Sequence, residues 1–510
     1  SAVVSAGALA GALPAQQPIR PFDLSGFSIV DLLRLLASSD PAVRIAAVSE
    51  LGKRKAPEAI LPLIQVLDRD NDMAVRAAVV YALQAIGMGV ILENNYFKEV
   101  TDALIRALSL SAANAAVVRL AAVGAVSNWF IDEAVAPLTR ILLHDTHVDV
   151  RRAAAGALGN ICSMSRLFQA RRLWRELSQQ AVPALIQALL SDPDAGVRRN
   201  TAYSLYFIGD SQAVEPLVRA LDLNPREPAV RSAIITALEN FARINKQAVR
   251  QSQAVMKMIG ILGNTNEDRR LRYVTAQSLG TLRDRQAVPV LIQALSDRDD
   301  YIRQTAAYSL GQIRDQQAVP ALRMIVGKPE ESYMVRIEAA MSLAKMGDTY
   351  SLKTLLDFLA DDMAFPLYQV QAALALGELG NSQALEPLFV LYSKIRGPQW
   401  WPDSLQKVLS SIVGVAKNNR ASKAIVAEKL NLSGQRLEIW NRFGVLVMEN
   451  AVRFSDAMLL QISRVLESLL PQQLSAVNVI AAEAIFSGRL VIGRVGGQAD
   501  IEGRTITLYP

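Results

Sequence analysis

The chain has 510 residues, of which 51% are apolar but only 6% aromatic, and its 20% of charged residues leave a net charge of +6. That length exceeds what one hydrophobic core usually serves, so several domains or a repeating array are expected. A charge this small, spread along the whole chain, excludes a concentrated phosphate track and with it nucleic-acid binding as the main function. The sequence also lacks any unbroken apolar run of about 20 residues to span a membrane as a helix. Peripheral attachment to a membrane stays open.

The opening stretch, Ser1 to Ala15, is small and apolar and ends in Leu13-Pro14-Ala15. It has the texture of the apolar core and cleavage site of an export signal, without the basic start. Two readings of residues 1–28 follow. A signal remnant would place the protein in a periplasm or lumen, and a plain Ala/Gly lead-in would leave it cytoplasmic.

From residue 29 to 396 one phrase returns. It opens on Val43-Arg44, Val75-Arg76, Val118-Arg119, Val150-Arg151, Val197-Arg198, Val230-Arg231 and Val335-Arg336, with variants at Leu271-Arg272, Ile302-Arg303 and Val370-Gln371. Successive copies lie 31 to 47 residues apart. A period in that range means stacked helical hairpins, because one hairpin cannot bury its apolar face alone. The copy from Asp297 to Ile325 is the clearest. Asp299-Asp300 caps a first helix whose Ile302, Ala306 and Leu310 make one apolar stripe. Gly311 falls near an expected C-cap. Pro320 opens a second helix, with Leu322, Met324 and Ile325 on its apolar face. The recurring Arg is expected to pair with an acid or a helix C-terminal carbonyl of the neighbouring repeat, forming a ladder down the stack. Asp40, Asp72, Asp149, Asp194 and Asp300, in the same turns as the Arg residues, are the expected partners.

Departures from the period mark where a function would be grafted. One insert runs from Gly87 to Val100. A second, between Leu158 and Val182, carries Arg166, Arg171, Arg172, Trp174 and Arg175, a mixture favoured at interface hot spots. It reads either as a partner site or as an elongated helix with a solvated basic face. Trp400-Trp401, between Pro398 and Pro402, is either a plug on the last repeat or a partner anchor. Residues 397–487 read as degenerate helical sequence, with helices over Leu405 to Ala416 and Ala457 to Leu470. The tail, 488–510, alternates and is rich in β-branched residues, which predicts a β-hairpin. Arg489, Arg494 and Tyr509 make it a candidate docking element, or else a cap on the last helix.

Signals for chemistry are nearly absent. The two histidines, His144 and His147, sit in an inter-repeat turn beside Asp145 and Asp149, where polar caps are needed in any case. No phosphate loop, nucleophile elbow, paired-cysteine motif or dinucleotide fingerprint is present. Cys162, the single cysteine, permits no intramolecular disulfide and reads as a small buried apolar residue. No catalytic residue, metal site or cofactor is therefore assigned.

The repeat wording, D-x-x-V-R-x-x-A-x-x-x-L-G followed by A-V-P-x-L-x-x-x-L, resembles the HEAT-like repeats of the phycobilisome-lyase family. The resemblance covers about Asp40 to Leu391. It implies an all-α solenoid of helical hairpins, here with a small C-terminal β-hairpin. It also implies one of two functions. The first is a non-enzymatic scaffold or assembly factor that holds a protein partner, as a subunit of a larger, photosynthetic complex. The second is a bilin lyase or isomerase holding an open-chain tetrapyrrole, with Arg for its propionates and Tyr203, Tyr206, Tyr301 and Tyr308 lining a groove.

Overall fold

The computed structural model describes residues 24–510 apart from 168–169, 245–248, 250–252, 362–363, 396–403, 417, 444–445, 450–462, 464–466, 468–478, 483–488, 494–496, 501–504 and 509–510. The chain forms two compact units, Ser1–Ala248 and Val249–Pro510. Both are built from paired helices. First helices in the first unit include Pro41–Lys53, Met73–Ile86, Ala116–Asn128, Val148–Leu167 and Ala195–Ile208, and in the second Arg269–Leu282, Asp300–Ile313, Tyr333–Lys345 and Pro366–Leu379. Most second helices follow a single 3-10 turn, as Val319–Val326 follows Gln316–Ala318. An Asp or Asn opens most of these turns: Asp210, Asp284, Asp315, Asp348 and Asn381 each accept the backbone N–H two residues on. Capping of this kind is why the short polar residue recurs between the two helices.

The expected stripe Ile302, Ala306 and Leu310 is fully buried. Leu322 and Ile325 are buried as well, but Met324 is 76% exposed, because a helix turns about 100° per residue and adjacent positions leave the core face. Gly311 also differs from expectation. It lies inside the helix Asp300–Ile313, whose C-cap is Arg314 in the left-handed region at φ 58°. Its role is close approach: the next first helix places Ser342 so near that a Cβ on Gly311 would lie 2.7 Å from the Ser342 Cβ. Gly159 against Ser204 and Gly280 against Ser309 repeat the arrangement. In each case the serine hydroxyl crosses to a carbonyl of the preceding helix, Ser204 to Ala155 at 2.7 Å, Ser309 to Ala276 and Ser342 to Ala307 at 2.8 Å. The Gly/Ser pair satisfies a buried hydroxyl and brings neighbouring first helices together.

The Arg ladder reaches the neighbouring repeat as expected, through acids other than the same-turn Asp residues. Arg44 holds the Asp70 carboxylate through two nitrogens at 2.7 and 2.8 Å, Arg119 holds Asp145 at 2.6 and 2.9 Å, and Arg151 holds Asp192 at 2.8 and 3.1 Å. Arg272 reaches Asp297 and Arg303 reaches Glu331. Each acid belongs to the turn before the next first helix, not to the turn of the Arg itself. The same-turn acids have another use: Asp40, Asp72 and Asp194 are N-caps, Asp149 pairs with Arg152, and Asp300 follows the true cap Asp299. These five Arg also donate backward to a carbonyl of the entry turn or the end of the helix before it, as Arg44 does to Ser38 at 2.8 Å and Arg303 to Asp297 at 2.8 Å. One guanidinium thus fastens two successive turns. The partner acid in turn accepts a turn N–H, Asp145 from His147 and Asp297 from Asp299. Both carboxyls are held below the ordinary aspartate range: burial opposes ionisation, but the bonds from Arg119 or Arg272 and from the turn N–H outweigh it.

The last variant lies two positions from the true rung. Counting from Ala372, Leu376 and Gly377, the ladder position is Gln369, not Gln371. Gln369 is buried and its Nε2 donates to the carbonyls of Leu359 at 3.4 Å and Asp361 at 2.9 Å. The amide keeps the backward half of the arginine's role without its charge.

Beyond the repeats stand helices Ser404–Ala416, Arg420–Lys429 and Gly434–Phe443. The helix expected over Ala457 to Leu470 lies outside the described residues except at Ser463 and Glu467, both helical. Five strands follow: β1 (Leu446–Glu449), β2 (Val479–Ala482), β3 (Arg489–Gly493), β4 (Gly497–Asp500) and β5 (Thr505–Leu508). They form one sheet in that order, β1 parallel to β2 and the others antiparallel. The tail strands are therefore part of a larger sheet, not a two-stranded hairpin. Two of its strands come from sequence read as helical, since four apolar residues in a row carry no period to separate strand from helix.

Candidate partner-binding surface

On a first helix, the positions two before, one after and five after the ladder Arg fall on one side, spaced by three, four or seven residues. The ladder and the Gly/Ser contacts occupy other faces, and on several first helices this stripe is left outward. In the second unit it carries Tyr273 and Gln277 on helix Arg269–Leu282, and Tyr301, Gln304 and Tyr308 on helix Asp300–Ile313. Tyr273 and Tyr308 are each 38% exposed and Tyr301 is 59% exposed. Cations lie over two of the rings: Arg269 sits 5.2 Å from the centroid of Tyr301, and Lys345 sits 5.3 Å from that of Tyr308. These contacts hold the tyrosines as preformed, amphipathic contact area. In the first unit the same stripe is more aliphatic. It exposes Tyr81, Val117, Leu120 and Tyr203, with Phe207 one turn beyond Tyr203. Tyr206 is half-buried, meets Phe207 edge-on at 4.8 Å, and its carbonyl accepts from Asn240 at 2.7 Å. The four tyrosines named from sequence thus divide between the units, and Tyr206 serves the stack.

The second insert forms long helices: Val148–Leu167 has 20 residues and Arg171–Ser191 has 21, with Pro183 inside the latter. In other repeats the corresponding proline stands at the start of the second helix. The insert has extended that helix toward its N-terminus. Trp174 is half-buried and its indole N–H donates to the carbonyl of Ile208 at 3.2 Å, capping the end of the next first helix. Arg172 pairs with Glu176 one turn on and stays exposed, as does Arg175. Arg171 opens the helix. Trp400, Trp401, Arg494 and Tyr509 lie outside the described residues, and Arg489 is placed as the first residue of β3.

A cleft of about 930 Å³ lies in the second unit, lined by Arg303, Arg323, Met324, Lys328, Glu331 and Tyr350 among others. Its charges are already balanced: Arg303 holds Glu331, and Arg323 holds Asp348 while lying 5.6 Å over the Tyr350 ring. No cluster of three or more metal-ligating side chains occurs among the described residues. His147 rests 3.8 Å from Asp145, whose carboxylate is committed to Arg119. Burial pushes the Cys162 thiol up to about 12, so it carries no thiolate near neutrality. No described helix is long and apolar enough to cross a membrane.

Models of HEAT repeats match residues 29–109, 166–239, 182–270, 255–334 and 328–394, and an armadillo/β-catenin-like repeat matches 130–163. The chain belongs to the HEAT-repeat family. It is 32% identical over 167 residues to a bilin biosynthesis protein, PecE, of Mastigocladus laminosus, and 31% identical over 165 residues to that of a Nostoc species. Each match takes in 28% of this chain, and the chain spans 56% and 59% of those relatives' lengths. That similarity agrees with the phycobilisome-lyase wording of the repeat. Among solved structures, importin-beta matches with a TM-score of 0.56 at 15% identity over 79% of this chain and 61% of its own. Yeast importin-beta matches with 0.52 at 15% identity over 81% and 60%. At such identity these neighbours share the solenoid fold.

Proposed function

We propose that this HEAT-repeat protein is a non-enzymatic scaffold that holds a protein partner on the outward stripe of its first helices. The observation that carries the reading is the exposed row Tyr273, Tyr301 and Tyr308, two of its rings backed by cations, beside ladder arginines Arg272 and Arg303 that are engaged within the stack. Arg172 and Arg175 on the elongated helix are a second contact region, and the tail strands a third. Membership of a larger photosynthetic complex is the finer part of this proposal, supported by the kinship with bilin biosynthesis proteins.

A second reading is also kept because of that kinship: the stripe cradles an open-chain tetrapyrrole together with a phycobiliprotein subunit. Purification of the native protein with its associated molecules separates the two. The scaffold reading expects a stoichiometric partner without visible absorbance, lost in the Tyr273→Ala/Tyr301→Ala/Tyr308→Ala variant. A bilin spectrum accompanying phycobiliprotein subunits would replace it with the second. Partner capture unchanged in the triple variant would move the site off this stripe.

A further inference from the structure

One joint of the second unit is built unlike the others. On helix Tyr333–Lys345, Ile337, Glu338 and Met341 are only 1%, 7% and 4% exposed. At the matching places on helices Arg269–Leu282, Asp300–Ile313 and Pro366–Leu379 no more than one residue each is buried, Thr305 and Val370, while Tyr273, Gln277, Tyr308 and Gln371 are exposed. Arg314, the C-cap of helix Asp300–Ile313, reaches past this helix to Glu378 of helix Pro366–Leu379 at 2.9 Å. The flanking helices are thus strapped together across the one between them.

The helix between them carries a buried carboxyl. Oε1 of Glu338 is buried without a hydrogen-bond partner. Gln304, on the preceding first helix, bonds to the Glu338 carboxyl, and Lys345 is the charge that acts on it. Other ionisable groups on the packed elements are engaged elsewhere or stand in solvent. Arg303 holds Glu331, Glu378 holds Arg314, and Arg323 holds Asp348. Asp300 opens its helix, and Lys353 and Asp357 are exposed. Burial, only partly offset by Lys345 and Gln304, pushes the carboxyl up to about 7 from its ordinary 4.5. A buried carboxyl is tolerated neutral and is costly once ionised with an orphaned oxygen.

We propose that Glu338 is a proton switch for this joint: helix Tyr333–Lys345 is seated against helix Asp300–Ile313 when the carboxyl is protonated and loosened when it is ionised. The sign follows from the raised value. The folded joint binds the proton more tightly than the opened one, so its stability is complete below about pH 4.5, falls as pH rises and levels off above about 7. Because Lys345 also covers Tyr308, the loosening reaches the outward stripe.

Amide hydrogen exchange of the full chain at pH 5.5 and pH 8, corrected for the intrinsic pH dependence of exchange, tests this. Peptides covering 333–345 are expected to lose protection by roughly tenfold or more at pH 8, since each pKa unit is tenfold in the opening equilibrium. Peptides from helix Arg269–Leu282 serve as the unchanged control. Glu338→Gln keeps the shape without the charge and should hold protection equal at both pH values. Gln304→Leu removes a bond that favours the ionised form and should shift the loss to higher pH. Equal protection in the wild type at both pH values, or the same loss in Glu338→Gln, would overturn the proposal.

Discussion

The rung at Arg119 and the rung at Gln369 solve one problem with different means. Arg119 binds Asp145 through two nitrogens, with both side chains almost wholly buried, and also donates to the carbonyls of Leu110 and Ala112. Gln369 makes the backward carbonyl contacts without a charge. Closing an entry turn therefore needs only donors aimed at its carbonyls. Tying that turn to the next repeat takes a second set of donors, and arginine's planar fork supplies both from one side chain. The buried ion pair is a fastening that stays favourable only while both partners are present.

Breaking the charged rung should have the largest effect. Arg119→Ala leaves the Asp145 carboxylate buried and unpaired, which costs about 3–5 kcal/mol. The urea midpoint should fall accordingly, whereas Gln369→Ala, which strands neutral carbonyls, should cost about 1–3 kcal/mol. An Arg119 variant no worse than the Gln369 variant would remove the distinction. Next in size is the Gly/Ser contact: Gly280→Ala places a Cβ 2.5 Å from Ser309 Oγ and should cost about 1–3 kcal/mol by overpacking. Ser309→Gly in the same background should recover part of the loss.

Acid should act on the charged rungs and not on the Gln369 rung. The folded carboxyls of Asp70, Asp145, Asp297 and Glu331 lie below their ordinary values: burial works against ionisation, and the bonds from Arg44, Arg119, Arg272 and Arg303 overcome it. Their stabilisation is fully present above the unfolded-chain values of 3.8 for Asp and 4.5 for Glu, and is lost as pH falls below them. Thermal melts from pH 7 to pH 3 should show that decline, and an Asp145→Asn variant should show a shallower one. The smallest effect concerns the outward stripe. Tyr301→Ala should change stability by no more than about 0.5 kcal/mol, as at ordinary surface sites, while weakening partner capture. A large drop in melting temperature would assign that ring to the stack.

Much of this was legible because the repeat prints the same physics many times. Period, helix pairing, capping acids and the existence of an Arg ladder follow from spacing alone. Which acid closes each rung does not follow from it, since Asp40 and Asp70 are equally short and polar in sequence, and only the stack decides which one an Arg44 fork can reach. Gly311 looked like a cap because it lies near a helix end, and the helix runs on past it. Trp174 reads from sequence either as part of a partner site or of an elongated helix, and only the structure shows its N–H spent on a carbonyl 34 residues away. The stripe Tyr273, Tyr301 and Tyr308 is partly visible through its tyrosines; the positions two before, one after and five after each ladder Arg are the signal that could have found the rest.

By itself, the sequence determined the class of fold. Ala, Leu and Val at helical spacing under a fixed period can bury their faces only by stacking. It also determined which residues would cap, since short polar side chains before each helix have few other uses. Tertiary structure alone decided what depends on neighbours far along the chain: which acid each Arg holds, where Gly must admit Ser, and that β1 and β2 join the tail strands in one sheet. It alone buried Glu338, a residue that as a letter on a helix would pass for surface. Local periodicity fixes a residue's direction from its own helix axis, whereas burial and pairing are set by what the next repeat places there.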